Sequence, residues 1–132
     1  MKEEPVEPTT AAWPHVITDP EGMGVEEMWS TSAEGRDHGV TLSTIHLDTD
    51  RVDVGPPLHQ HPYTEVIKVL RGRATFTLGA ERVPMRAGQT VVIPPRTPHA
   101  FRTLGPERFE SLALHLSAAF VTETLDPDSG SG

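Results

Sequence analysis

Apolar and polar residues alternate along most of this chain in short runs separated by turn signals. The runs VEEMWS, VTLSTIHL, EVIKVL, ATFTL, TVVIP, HAFRTL and FESLALHL begin at Val25, Val40, Glu65, Ala74, Thr90, His99 and Phe109. They are rich in β-branched, aromatic and leucine side chains, and the segments between them, such as EGRDHG, DTDRVDVGPP, RAGQ and PPRTP, carry glycine, proline and aspartate. A period of two puts every second side chain on one face of a strand, so the pattern predicts half-buried strands of an all-β domain. Many short strands in one small domain must hide their edges, which points to an antiparallel sandwich or closed barrel. Before residue 117 no stretch carries a helical stripe. Ser117 followed by AAFVTETL predicts a short C-terminal helix capped by the serine, with Phe120 and Leu125 packed back on the barrel.

The length, 132 residues, suits one domain with a modest core. The expected boundaries are a flexible proline-spaced arm over 1–14, a single barrel over 15–125 and a flexible tail over 126–132. Cysteine is absent, which removes disulfides, thiolate metal sites and cysteine nucleophiles. A formal net charge of -8 opposes attraction to phosphate backbones and anionic lipid, so neither nucleic acid nor a membrane is an expected partner. The opening MKEEPVEPTT has no apolar segment of signal or anchor type, and a cytoplasmic location is the expectation. No phosphate-cradling glycine loop and no GxSxG elbow occurs.

Chemistry concentrates in GPPLHQHPYTEVIKVLRG, Gly55 to Gly72. On a strand His59 and His61 project to the same side, while Pro62 breaks the strand before EVIKVL begins. If Lys68 points outward, alternation directs Glu65 inward together with Ile67 and Val69. A carboxylate inside an apolar barrel is costly unless neutralised, and a divalent cation shared with imidazoles would neutralise it. A second segment, AGQTVVIPPRTPHAF, runs from a glycine turn through a β-branched strand into a proline turn that delivers His99.

These two segments resemble the paired motifs of the cupin superfamily. His59, His61, Glu65 and Gly72 fall on the frame of the first motif, whose leading glycine position holds Asp53. Gly88, Pro94 and His99 fall on the second, in which Arg96 replaces a glycine and Thr103 an asparagine. The short stretch from Arg73 to Ala87 between them is that of a small single-domain cupin. The resemblance implies a jelly-roll barrel (double-stranded β-helix) with one divalent transition metal on His59, His61, Glu65 and His99. Nitrogen and oxygen donors without sulfur suit Fe(II), placed first, as well as Mn, Ni, Co, Cu or Zn. It also implies a homodimer, expected to use the segment around Trp13 and Trp29, and conversion of a small-molecule substrate. A cupin-type dioxygenase stands slightly ahead of a Lewis-acid cyclase, isomerase or decarboxylase, and a non-catalytic ligand-binding cupin is the alternative from another class.

Around the ligands, His46 is a candidate acid or base on a strand, and Tyr63 a candidate catalytic residue at the mouth. His115 in SLALHL has the same status as His46, and for both a packing role competes. Arg96 and Arg102 are candidate partners for an anionic substrate group. Phe76, Phe101 and Phe109 are expected in the barrel packing, with at most one facing a ligand.

Overall fold

The structure is a computed structural model that describes residues 15–18 and 29–125. The expected arm, the expected tail and the first residues of VEEMWS lie outside the described residues, as do Trp13 and the Trp29 side chain expected in a dimer contact. Ten strands follow in order: β1 (Trp29–Ala33), β2 (Ser43–Thr49), β3 (His59–Gln60), β4 (Glu65–Arg71), β5 (Arg73–Leu78), β6 (Glu81–Arg86), β7 (Thr90–Ile93), β8 (His99–Thr103), β9 (Phe109–His115) and β10 (Glu123–Thr124). A single 3-10 turn, Gly35–Asp37, is the only helical element among the described residues. No described helix is long and apolar enough to cross a membrane.

The strands form two antiparallel five-stranded sheets, ordered β1-β2-β9-β4-β7 and β10-β3-β8-β5-β6. Only β1–β2 and β5–β6 are neighbours in both sequence and sheet; elsewhere the chain passes to the other sheet, which wraps the two into an all-β jelly roll. Alternation sets what each sheet turns inward. Glu65, Ile67 and Val69 of β4 are buried while Lys68 and Leu70 are exposed, and in β9 the buried series is Phe109, Ser111, Ala113 and His115.

On β4, β8 and β9 these inward series change from titratable to apolar along the barrel. Glu65 leads to Ile67 and Val69, His99 leads to Phe101, and His115 trails Ala113 and Phe109. The apolar part is a packed aromatic group, with Phe101 5.0 Å from Phe76 and 5.4 Å from Phe109 between ring centroids. Gly72 joins β4 to β5 at φ 76°, where a Cβ would also strike the Arg108 carbonyl oxygen. That explains a glycine at the end of the first motif.

Two elements differ from the sequence pattern. β6 carries Pro84 and mostly exposed residues, with only Met85 buried, so its signal was weak. It forms the edge of its sheet, where a proline is tolerated because one side of the strand needs no ladder partner. The expected C-terminal helix is absent: after β9 the chain is irregular and then pairs as β10 with β3. Its backbone groups are claimed by tertiary partners instead of by an i→i+4 ladder. Phe120 N–H donates to the Glu34 carboxylate (2.8 Å), Val121 N–H to the Tyr63 hydroxyl (3.2 Å) and Leu125 N–H to the Leu58 carbonyl (3.0 Å).

Candidate metal centre

One rung from each sheet builds the site. His59 pairs across β3–β8 with His99, and Glu65 pairs across β4–β9 with His115. His61 comes from the loop that carries the chain from β3 to β4, where Pro62 follows it. The donor atoms of His59, His61, Glu65 and His99, the set the resemblance implies, all lie within 4.8 Å of one another. The last three are almost completely buried; His59 is half-buried.

Each of these imidazoles is anchored through Nδ1 to a backbone carbonyl: His59 to Pro57 (2.6 Å), His61 to Val121 (2.9 Å) and His99 to Thr97 (2.8 Å). A carbonyl oxygen only accepts, so Nδ1 carries the proton and Nε2 presents a lone pair to the interior. Glu65 Oε1 lies 2.9 Å from His99 Nε2 and 3.2 Å from His61 Nε2. A lone pair facing a carboxylate oxygen needs a proton or a cation between them. His61 Nε2 is moreover buried with no hydrogen-bond partner among the described residues, the one side-chain atom there in that position. Three anchored nitrogen donors, one carboxylate and an orphaned lone pair fit a divalent transition ion.

The electrostatics follow from the same contacts. Burial by itself raises the Glu65 carboxyl, but in the metal-free protein the surrounding imidazoles of His115, His61 and His99, once protons occupy the nitrogens that face it, outweigh burial and hold the group far below the usual carboxylate range. Burial lowers His61, yet the Glu65 carboxylate facing Nε2, which favours a proton there, and the Val121 carbonyl on Nδ1 leave its pKa raised overall. His59, chiefly through burial, is lowered.

The four donors stand at one end of a cavity of about 390 Å³ whose remaining wall is mainly apolar, with Ile45, Leu47, Ile67, Phe101 and Phe120 among its residues. Among the described residues no lysine or arginine lines it. Arg102 turns its guanidinium to the carbonyls of Pro56 and Phe101, and Arg96 is an exposed turn residue, so neither expected anion partner reaches the cavity. Of the three phenylalanines expected in the barrel packing, Phe101 does face the cavity, whereas Phe76 and Phe109 are core.

His46 is corrected by the structure. It belongs to the outer face of β2, bonded to Glu110 at 2.6 Å, and is absent from the cavity lining, because Ile45 and Leu47 occupy the inward positions on either side of it. Tyr63 lies behind the site, stacked on His61 and hydrogen-bonded to His115 Nδ1 at 2.8 Å. His115 is drawn into the centre: its Nε2 is 3.2 Å from Glu65 Oε2 and it lines the cavity. Its alternation with Phe109, Ser111 and Ala113 marked it as inward-facing.

A match to the family described as "Cupin domain" runs over residues 50–115, half of the chain, and takes in all four donors. The chain belongs to the cupin family. Two curated relatives share part of this cupin. An uncharacterised protein of Methanocaldococcus jannaschii, MJ1618, is 42% identical over 50 residues, covering 36% of this chain and 39% of the relative. The polyketide synthase CurC of Streptomyces cyaneus is 40% identical over 60 residues, covering 45% of this chain and 38% of the relative. Among solved structures, oxalate decarboxylase from Bacillus subtilis, a protein with Mn(II) centres, superposes with a TM-score of 0.70 at 18% identity over 80% of this cupin and 30% of the decarboxylase. That likeness shows the fold. The matched part spans about two fifths of each curated relative and under a third of the decarboxylase.

Proposed function

We propose that this cupin is a metal-dependent enzyme acting on a small, mainly apolar organic molecule that carries oxygen donors at one end. The observation behind it is the placement of three carbonyl-anchored imidazoles and Glu65 at one end of an apolar cavity. His59, His61, His99 and Glu65 would hold the ion, with Fe(II) the leading candidate. A divalent transition ion supplies Lewis acidity and, where redox-active, dioxygen chemistry. The protein residues do the rest. Apolar walls desolvate the substrate body, and the Nδ1 anchors keep the ligand rings in place. A cavity lined by no described lysine or arginine, in a chain of net charge -8, is a poor receptor for a small dianion.

Oxidation by dioxygen is the reaction class we favour. A second reading, Lewis-acid cyclisation or a related rearrangement, is supported by the relative named as a polyketide synthase, which shares 40% of residues over a 60-residue stretch. Elemental analysis of protein purified without a histidine tag, followed by oxygen uptake with the ion found, tests the proposal. His61→Ala should lose both metal and turnover. Equal metal content in wild type and His61→Ala would overturn it. Full turnover by zinc-substituted protein without oxygen would select the second reading over the first.

A further inference from the structure

Four side chains suffice to hold an ion, yet the centre contains a fourth imidazole and a phenol. His115 is 3% exposed, and its Nε2 lies 3.2 Å from Glu65 Oε2, the oxygen turned away from His61 and His99. Its Nδ1 lies 2.8 Å from the Tyr63 hydroxyl, which itself receives the Val121 N–H at 3.2 Å. The proton positions follow by counting donors. Val121 N–H can only donate, so the Tyr63 oxygen accepts there. The phenol proton then needs an acceptor. His61 Nδ1 is farther, at 3.4 Å, and already donates to the Val121 carbonyl, which leaves His115 Nδ1. With Nδ1 accepting, the His115 proton sits on Nε2 and points at Glu65 Oε2. His115 is thus the opposite tautomer from His59, His61 and His99. An Nε2 that carries its proton has no lone pair to give to an ion.

We infer that Tyr63 and His115 are positioning residues that hold Glu65 by Oε2, so that the carboxylate offers Oε1 alone to the ion. This rests on the metal-site reading above. The pairing register sets it up, because Glu65 and His115 face each other directly across β4 and β9. A carboxylate held to one oxygen leaves more of the ion's coordination for substrate than one free to chelate with both.

The test uses the full chain loaded with Mn(II), read by its electron paramagnetic resonance spectrum and by metal affinity in competition with a chelator. His115→Leu removes the donor, so the Mn(II) spectrum should change and the affinity fall by about 10- to 100-fold. His115→Gln, whose amide can donate to Oε2, should return the spectrum towards wild type. Tyr63→Phe should shift the spectrum in the same direction as His115→Leu by a smaller amount, and it keeps the inference testable if His115→Leu does not fold. Wild-type spectrum and affinity in Tyr63→Phe and in folded His115→Leu would overturn the inference while leaving the metal site intact. Failure of wild type itself to bind Mn(II), or any other divalent transition ion, would overturn both.

Discussion

Arg96 is the sharpest place to test whether this backbone has the geometry described. It occupies a motif glycine position, and its φ of 59° lies in the left-handed region that L-residues with a Cβ avoid. The conformation is imposed, since the Arg96 N–H closes the proline turn onto the His61 carbonyl at 2.7 Å, three residues before His99. Holding a non-glycine residue there costs about 1–2 kcal/mol. Arg96→Gly removes that cost and returns about 0.4–1 kcal/mol as extra freedom of the unfolded chain. Arg96 is exposed, so little packing is lost with its side chain. The expected net gain is about 0.5–1 kcal/mol, or roughly 2–5 °C in Tm for a domain of this size. Calorimetry of chelator-treated protein would read it without a contribution from bound metal. Arg96→Val, β-branched at the same φ, should lower Tm instead. Asp53, the other non-glycine residue with positive φ (63°) among the described residues, also stands at a motif glycine position. Aspartate tolerates that region better than arginine, so Asp53→Gly should gain less. An Arg96→Gly protein with a Tm at or below wild type would refute the reasoning.

Two further outcomes concern the titrating groups. The raised pKa of His61 in the metal-free protein contributes stability that is fully present below its unfolded value of 6.5 and is lost as pH rises through the higher folded value. The Tm advantage of chelator-treated wild type over His61→Gln should therefore shrink from pH 6 to pH 9, a comparison in which the opposite shift of His59 largely cancels; an advantage that grows with pH would contradict the assignment. With metal the sign reverses. Protons compete for the same lone pair, so metal affinity should weaken on acidification and bound metal should be lost below about pH 6, which a dialysis series would measure. His46→Gln, on the outer face, should leave metal content and turnover unchanged and cost less than about 1 kcal/mol, in line with a partly exposed hydrogen-bonded pair; loss of turnover in a folded, metal-replete variant would return His46 to the chemistry.

How the site came to be readable is visible in individual residues. The two-residue period and the proline break suggest that His59, His61 and Glu65 face one way, and the resemblance to the cupin motifs adds His99 to the set. From the sequence His46 and His115 have the same standing, although the two-residue period puts His46 out of phase with Ile45 and Leu47 and His115 in phase with Phe109. A strand tolerant of Pro84 was not legible, since only its edge position makes the proline acceptable. Nor was the fate of AAFVTETL. Its helical preference is weak, and distant partners, Glu34, Tyr63 and Leu58, take the backbone donors a helix would have used.

By itself, then, the sequence determined which faces are apolar, where the turns fall and which side chains stand ready as ligands. Tertiary structure decided who meets whom. Strand register joins Glu65 to His115 across fifty residues of chain, and the irregular segment after β9 supplies the carbonyl that turns the His61 lone pair inward. Such pairings depend on contacts between segments remote along the chain, and no local period encodes them.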